Sequence, residues 1–336
     1  MEFIKRFCKR YFIDAMSSMA LGLFASLIIG TIIKQFARIA VLSFLSPLAS
    51  IASSAHVVGA AIGVAIACGL GQKPLVIFST AVVGAVGYEF GGPVGAYLAA
   101  VIGSEIASLV ASKTKLDILI TPLVTIISGG MVGVYAGPYI NGFMQSLGDF
   151  INSATEYAPI PMGIVISVVV GMVLTAPISS AALCIMIGID GIAAGAAAVG
   201  CSCQMIGFAV ASYRDNDLRG SLSVGIGTSV LQFHNILRHP GIWIAPTLAS
   251  AVLGPVSTAL LKMTNTSMGA GMGTSGFVGQ FGAYEAMAGD VGAVVAIIEI
   301  VIMHFVLPAV LTMMFDFAGR RLGYVKPGFM KLNQQL

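Results

Sequence analysis

Charge is what this chain has least of. Lys and Arg number 17 and Asp and Glu 14 in 336 residues, 9% together, against 57% hydrophobic residues. A soluble domain carries about 25% charged residues. A chain this poor in charge cannot clothe a water-facing surface, so most of its exterior must face lipid, and the soluble function classes are excluded. Lys and Arg are missing altogether from Leu116 to Tyr213 and from Met263 to Gly319. Cysteine is sparse as well. Cys8, Cys68, Cys184, Cys201 and Cys203 form no disulfide framework. Cys201 and Cys203 lack the spacing and companion ligands of a zinc site, so no metal is expected and the thiols read as small buried apolar residues. No cleavable leader is expected. The first apolar stretch, from about Phe12 to Ile33, is too long for a signal core and has no small-residue cleavage site near its end.

The few cations are informative by position. Lys5, Arg6, Lys9 and Arg10 cluster at one end of the chain, and Arg320, Arg321, Lys326 and Lys331 at the other. Basic residues near span ends favour the cytoplasmic side, so both termini are expected inside and the number of spans even. Neither end is long enough to form a nucleic-acid-binding domain.

A spanning helix needs roughly 20 apolar residues. Such stretches lie near 13–33, 55–71, 74–90, 94–111 and 117–137, and again near 161–182, 192–213, 221–237, 242–262 and 291–315. The expected fold is therefore an all-α polytopic membrane protein of about ten transmembrane helices. The short or polar stretches 74–90 and 221–237 are candidates for re-entrant hairpin segments. Between the halves, Phe143, Leu147, Phe150 and Ile151 recur at helical spacing, with Asn141, Gln145, Asp149 and Asn152 on the other face. That pattern predicts an amphipathic helix in the membrane interface. The expected organisation is an N-terminal five-span half over 1–137, serving as scaffold and dimerisation unit, the interfacial linker 138–160, a C-terminal five-span half over 161–319 that holds the substrate, and a cytoplasmic tail over 320–336. This count puts the loop from Arg214 to Arg219 outside, at odds with its arginines.

Ionisable groups at membrane depth are costly and mark candidate sites. Glu299 and His304, five residues apart, read as an interhelical polar contact, and Glu105 as a structural contact near Lys113 and Lys115. Asp190 would close a hairpin opened by the break from Thr175 to Ser180. Glu89 sits between Tyr88 and Pro93, where a helix must break, so its carboxylate can face a cavity. The strongest signal is the segment Asn265–Gly282, followed by Glu285. It is too glycine-rich for a continuous span, since each glycine inside a helix costs about 1 kcal/mol relative to alanine, and too apolar for a surface loop. Broken backbone at membrane depth is tolerated only around protein or a water-filled cavity, and transporters place such segments at substrate sites. No Walker lysine follows its glycines, so it is not a nucleotide loop. The candidate substrate-binding residues are Asn265, Thr266, Thr274, Ser275, Gln280 and Glu285. His234 and Asn235 join them with donors and acceptors suited to a polyol, and Glu89 completes the set. No catalytic residue and no cofactor site is read in the sequence.

The run from Trp243 to Thr258, continuing into Asn265–Gly282, resembles the enzyme IIC-like membrane proteins of the bacterial phosphotransferase system, in the branch often labelled perfringolysin O regulator-like. Gly200 to Asn216 and Pro122 to Met144 look like the same branch, so the likeness covers essentially the whole chain. The resemblance implies a permease in the bacterial cytoplasmic membrane, a homodimer, that binds a sugar and presents it to separate IIB and IIA partners. It also implies a Glu and a His at the sugar, for which Glu285 and His234 are the matching choices. No fused IIB or IIA domain is present, hence no phosphorylation site of its own. Two other readings stay open: an uncoupled transporter of another small solute such as an organic anion, and a membrane regulator that binds without transport.

Overall fold

The computed structural model describes residues 6–7, 9–37, 40–176 and 179–332. Cys8 and Pro177 lie outside them. Among the described residues regular structure is helical, apart from an isolated backbone bridge between Gly191 and Asn265. Six helices are long and apolar enough to cross a membrane, and a seventh span arises if the pair Val41–Ala52 and Ala55–Gly69, bent by 60°, counts as one. The chain divides into two compact units, Met1–Leu147 and Gly148–Leu336.

The first unit contains α1 (Lys9–Lys34), α2 (Ser46–Ala52), α3 (Ala55–Gly69), α4 (Pro74–Ser108) and α5 (Asp117–Met131). The amphipathic stretch is helical as expected, as α6 (Gly137–Tyr157), and carries the chain across the boundary between units. α4 is 35 residues long, which at 1.5 Å per residue would reach about 52 Å, well beyond a bilayer core of about 30 Å. It is not straight. Gly92 has φ 59° and ψ −158°, a conformation open to glycine, and Pro93 follows. A Cβ on Gly87 would lie 2.7 Å from the Gly95 carbonyl oxygen and 2.8 Å from the Ala96 Cα. Residues eight apart in a straight helix cannot meet, so the chain reverses at Gly92 and the segments before and after it pack side by side. Small residues make the remaining seams. A Cβ on Gly63 would strike the Thr80 carbonyl, and one on Gly59 would lie 2.6 Å from the Tyr88 Cβ. Helices approach this closely only where one side has no side chain. Glu105 is structural, as read, but its partner is Arg10, at 2.7 Å, rather than Lys113 or Lys115.

The second unit contains α7 (Pro159–Thr175), α8 (Ser180–Ile187), α9 (Gly191–Ser212), α10 (Leu218–Leu222), α11 (Phe233–Arg238), α12 (Pro240–Leu261), α13 (Ser267–Ala270), α14 (Val278–Met287) and α15 (Ala293–Arg321). α9 is the axis. Its small residues, from Ala193 to Ala198 and around Gly200, let neighbours close on it, and 89% of its apolar window is buried. Its two ends are distinct places. At the first, the Asn265 N–H donates to the Gly191 carbonyl at 3.1 Å. At the second, the chain after Ser212 is fastened to the C-terminal stretch: Asp215 accepts from the N–H groups of Gly328 and Met330, and Asn216 donates to the Met330 carbonyl. Gln232 donates to the same Met330 carbonyl and Asn235 to that of Lys331, while the His239 ring stacks on Phe329 at 3.7 Å.

These contacts bear on the stretch 221–237, one of the two candidates for a re-entrant segment. Its two flanks lie at the same end of the unit, because Asn216 before it and Asn235 after it both hold the 330–331 backbone. Its helix breaks at Gly227 and at Thr228, which is fully extended. The loop Arg214–Arg219 therefore shares an end of the unit with the C-terminal stretch rather than lying opposite it, which removes the conflict with its arginines. Cysteines introduced at Arg219 and Lys326 should then react with an impermeant maleimide from one side of the membrane, and one at Gly289 from the other. Labelling of Arg219→Cys and Lys326→Cys from opposite sides would overturn this arrangement.

Candidate functional site

The glycine-rich segment folds as two short helices around a turn, and its polar side chains first satisfy its own broken backbone. The Asn265 amide donates to the Gly279 carbonyl at 3.0 Å and accepts from the Thr266 N–H at 2.8 Å. Thr266 caps α13 by accepting from the Gly269 N–H. Gly269 and Gly282 press on the Asn265 side chain, where no Cβ would fit. At the turn, Gly273 and Gly276 both have φ 52°, and Phe277 follows with φ 59°. A bulky residue in the left-handed region costs of order 1–3 kcal/mol and persists only when its surroundings enforce it. Here they do: Thr274 donates to the Gly225 carbonyl at 2.5 Å and Ser275 to that of Gly227 at 2.9 Å. The turn is thus stitched to the break after α10.

The two broken segments pack on the second half of α9, from Cys201 to Ala209. A Cβ on Gly273 would lie 2.7 Å from the Cys201 carbonyl carbon, and one on Gly225 would lie 3.0 Å from the Ala209 Cβ. The α7–α8 break joins them from a third side, with Ser180 donating to the Gly271 carbonyl at 2.6 Å. Gln204, fully buried on α9, links the rest. Its carbonyl oxygen accepts from Trp243 Nε1 at 3.0 Å and from Thr175 at 3.3 Å, and its amide donates to Thr247 at 3.3 Å. The hydroxyls of Thr175 and Ser229 lie 2.9 Å apart. One polar layer therefore crosses an otherwise apolar interior, built from α7, α9, α12 and three chain breaks. Ser275, beside the exposed Gly276, is one of the half-buried hydroxyls of this layer.

The sequence-derived candidates fall into separate groups. Thr274 and Ser275 belong to the layer. Asn265 and Thr266 hold the first end of α9, and Glu285, half-buried, follows one turn beyond Gly282. His234 is exposed and Asn235 is committed to Gln232 and Lys331, both at the other end. α9 has 22 residues, about 33 Å, so in this conformation one ligand cannot touch both Glu285 and His234. Gln280 pairs with His304 across α14 and α15 at 2.8 Å, an interhelical contact as read for His304. Gln280 Oε1, His304 Nε2 and Glu299 Oε2 are buried without a partner. In the first unit, Glu89 lies 3.5 Å from His56 beside an open groove of about 490 Å³ lined also by Val82, Val86 and Phe90. No cluster of His, Cys, Asp or Glu among the described residues could hold a metal ion.

Sequence reasoning missed Gln204, Trp243, Thr175, Thr247 and Ser229 as a set. Gln204 was the available signal, a lone amide in a helix of alanine, glycine and other small residues, where a polar group must find a partner.

A model of the family described as "Phosphotransferase system, EIIC" matches residues 13–332. No curated protein and no solved structure matches the chain.

Replacing Gln204 by Leu leaves the Trp243 N–H and the Thr175 hydroxyl without their shared acceptor, at about 1–3 kcal/mol. Thermal unfolding of Gln204→Leu, Trp243→Phe and the double variant should show coupling of at least about 0.5 kcal/mol. Strict additivity would mean that the layer is not one network.

Proposed function

The chain belongs to the phosphotransferase system EIIC family, and on that premise we propose that it is the membrane permease of a sugar phosphotransferase system, with its sugar-binding site at the polar layer beside Ser275. The observation that carries this reading is that three backbone breaks are tied to one another beside a helix long enough to span, one of them through Thr175 to the buried Gln204. A simple bundle has no use for broken backbone there, whereas a site for a polyhydroxylated solute needs the carbonyls, hydroxyls and amides it exposes. In this reading the segments 175–190, 216–235 and 265–287 are re-entrant hairpins. They bring the count of membrane-inserted segments toward the ten expected from hydropathy.

The clustering of Arg214, Arg219, Arg238, Arg320, Arg321, Lys326 and Lys331 in the loop and tail segments at one end of the second unit supports a cytoplasmic location for that end. A separate IIB protein would approach there. The permease holds no phosphoryl group itself. It would position a sugar hydroxyl for in-line attack on the partner's phosphocysteine, forming the O–P bond as the S–P bond breaks. Glu285 at one end of α9 and His234 at the other would then serve successive stages of passage rather than one bound state. Homodimerisation through the first unit is part of the same proposal.

The test is a sugar panel on the purified chain. The correct sugar at about 100 times its Kd should stabilise the fold by about 2.7 kcal/mol. Ser275→Ala loses the hydrogen bond to Gly227 and should lower basal stability by about 1 kcal/mol. Measured against its own ligand-free melting point it should also show a weaker sugar shift, and vesicles supplied with IIB, IIA and phosphoenolpyruvate should accumulate the phosphorylated sugar. A panel without any shift, together with vesicles without uptake, would sink the reading. Uptake that needs no IIB protein would favour an uncoupled carrier.

A further inference from the structure

A cavity with charged groups in its lining lies at the arginine-rich end of the second unit, away from the layer around Gln204. It has a volume of about 250 Å³ and is lined by Val210, Arg214, Met313, Asp316, Phe317 and Arg320 among others. Asp316 and Arg320 are both largely buried and pair across one helical turn, Nε to Oδ2 at 2.6 Å. Arg320 also donates through Nη2 to the Ala211 carbonyl at 3.1 Å. Its guanidinium is therefore fixed in place, with Nη1 uncommitted among the described residues. Arg214 is exposed and makes no ion pair or hydrogen bond among them. Two guanidinium groups face one carboxylate, so the cavity carries a net positive charge. Asp316 Oδ1 is buried with no hydrogen-bond partner, which leaves an acceptor in need of a donor.

These groups define a ligand. The spare guanidinium donors call for an anion with several acceptor oxygens, which is the geometry of a phosphate. Asp316 Oδ1 is closed to solvent in this structure, so a hydroxyl on the same molecule would reach it only as the ligand seats against the Asp316–Arg320 pair. The volume equals about eight waters, enough for a phosphate with a short polyol. The rim is apolar. Met313 and Phe317 are 49% and 54% exposed on the outer face of α15, and the Arg321 guanidinium lies 4.5 Å from the Phe317 ring centroid.

We propose that this cavity binds a hydroxylated phosphate ester, supplied either by a phosphoglycerol lipid headgroup or by a free sugar phosphate. A basic pocket between helices with an apolar flank suits an anionic lipid, whose acyl chains would lie along α15 past Phe317 and Met313. The argument rests on the cavity's own groups and does not depend on the transport reading.

The experiment uses the purified full chain and follows its thermal unfolding. One arm titrates phosphatidylglycerol in mixed micelles against phosphatidylcholine. The other titrates glycerol 3-phosphate and glucose 6-phosphate against inorganic phosphate and glycerol. At least one ester should stabilise the protein beyond its controls. Arg214→Ala should weaken that ester by about tenfold, the worth of one charged hydrogen-bonding group, while Arg219→Ala, an exposed cation at the same end, changes it little. Stabilisation by phosphatidylglycerol alone identifies a lipid headgroup, and stabilisation by a soluble ester identifies a free one. The proposal is overturned if no ester exceeds its controls, or if Arg214→Ala and Arg219→Ala weaken binding equally, which would mean diffuse charge rather than a site. Since Arg214 has no ion pair or hydrogen bond to lose among the described residues, its replacement should leave the fold intact, and Arg214→Glu gives a second variant that should abolish the shift.

Discussion

A backbone N–H or carbonyl left unpaired in hydrocarbon costs several kcal/mol, and the second unit is organised around paying that debt wherever its helices stop. Each break has its own creditor. Asn265 and Thr266 serve the chain entering α13, and Ser180 serves the carbonyl at Gly271. Thr274 and Ser275 reach across to Gly225 and Gly227, whose helix has just ended. The hydroxyl and amide side chains in this region are thus accounted for by backbone geometry first. In the proposed site a ligand would draw on the surplus: the half-buried face of Ser275 and the second lone pairs of hydroxyls beside it.

The same constraint explains the abundance of small residues. The broken segments reach α9 only because α9 presents little but alanine, glycine, serine and cysteine around Cys201. Gly200 packs so tightly on Ser167 that a Cβ would meet its backbone within 2.6 Å of the Cα, and Ser250 donates to the Gly200 carbonyl from another side at 3.2 Å. In lipid, helix association draws on close packing and interhelical hydrogen bonds rather than on the hydrophobic effect. Small residues supply the first and, by letting backbones approach, make the second possible. Larger side chains along α9 would hold the neighbours away and leave each break without its partner.

Membrane residence, helical class and the places where helices break were legible in the sequence, because each depends on local composition. Scarce charge, the glycine cluster after Asn265 and the Gly-Pro step at Gly92 all act within a few residues of themselves. The direction in which the chain leaves a break was not legible. Hydropathy scores 221–237 as a stretch of chain and is blind to its return, which is fixed by Asn216 and Asn235 reaching a backbone about a hundred residues later. The separation of Glu285 and His234 in this conformation was illegible for the same reason. Both are polar groups in apolar surroundings, but their separation is the length of α9, and no local pattern reports it. Gln204 marks the converse case: one residue, unremarked as a site, becomes a link once α7 and α12 deliver donors and an acceptor to it.

The arginine-rich end follows from where charge can go once the interior is closed to it. Arg320 lies at the limit of α15, where its guanidinium reaches both Asp316 one turn back and the last carbonyls of α9. Half-satisfied buried pairs are expensive to keep. Asp316 is half-satisfied, since Oδ2 is paired and Oδ1 is not. A pure span-stabilising function would be met by an apolar residue at that position at lower cost. The retained carboxylate, the uncommitted Arg214 opposite it and the cavity between them form a coherent arrangement when a ligand with both an anionic and a hydroxyl group completes it, and an uneconomical one otherwise.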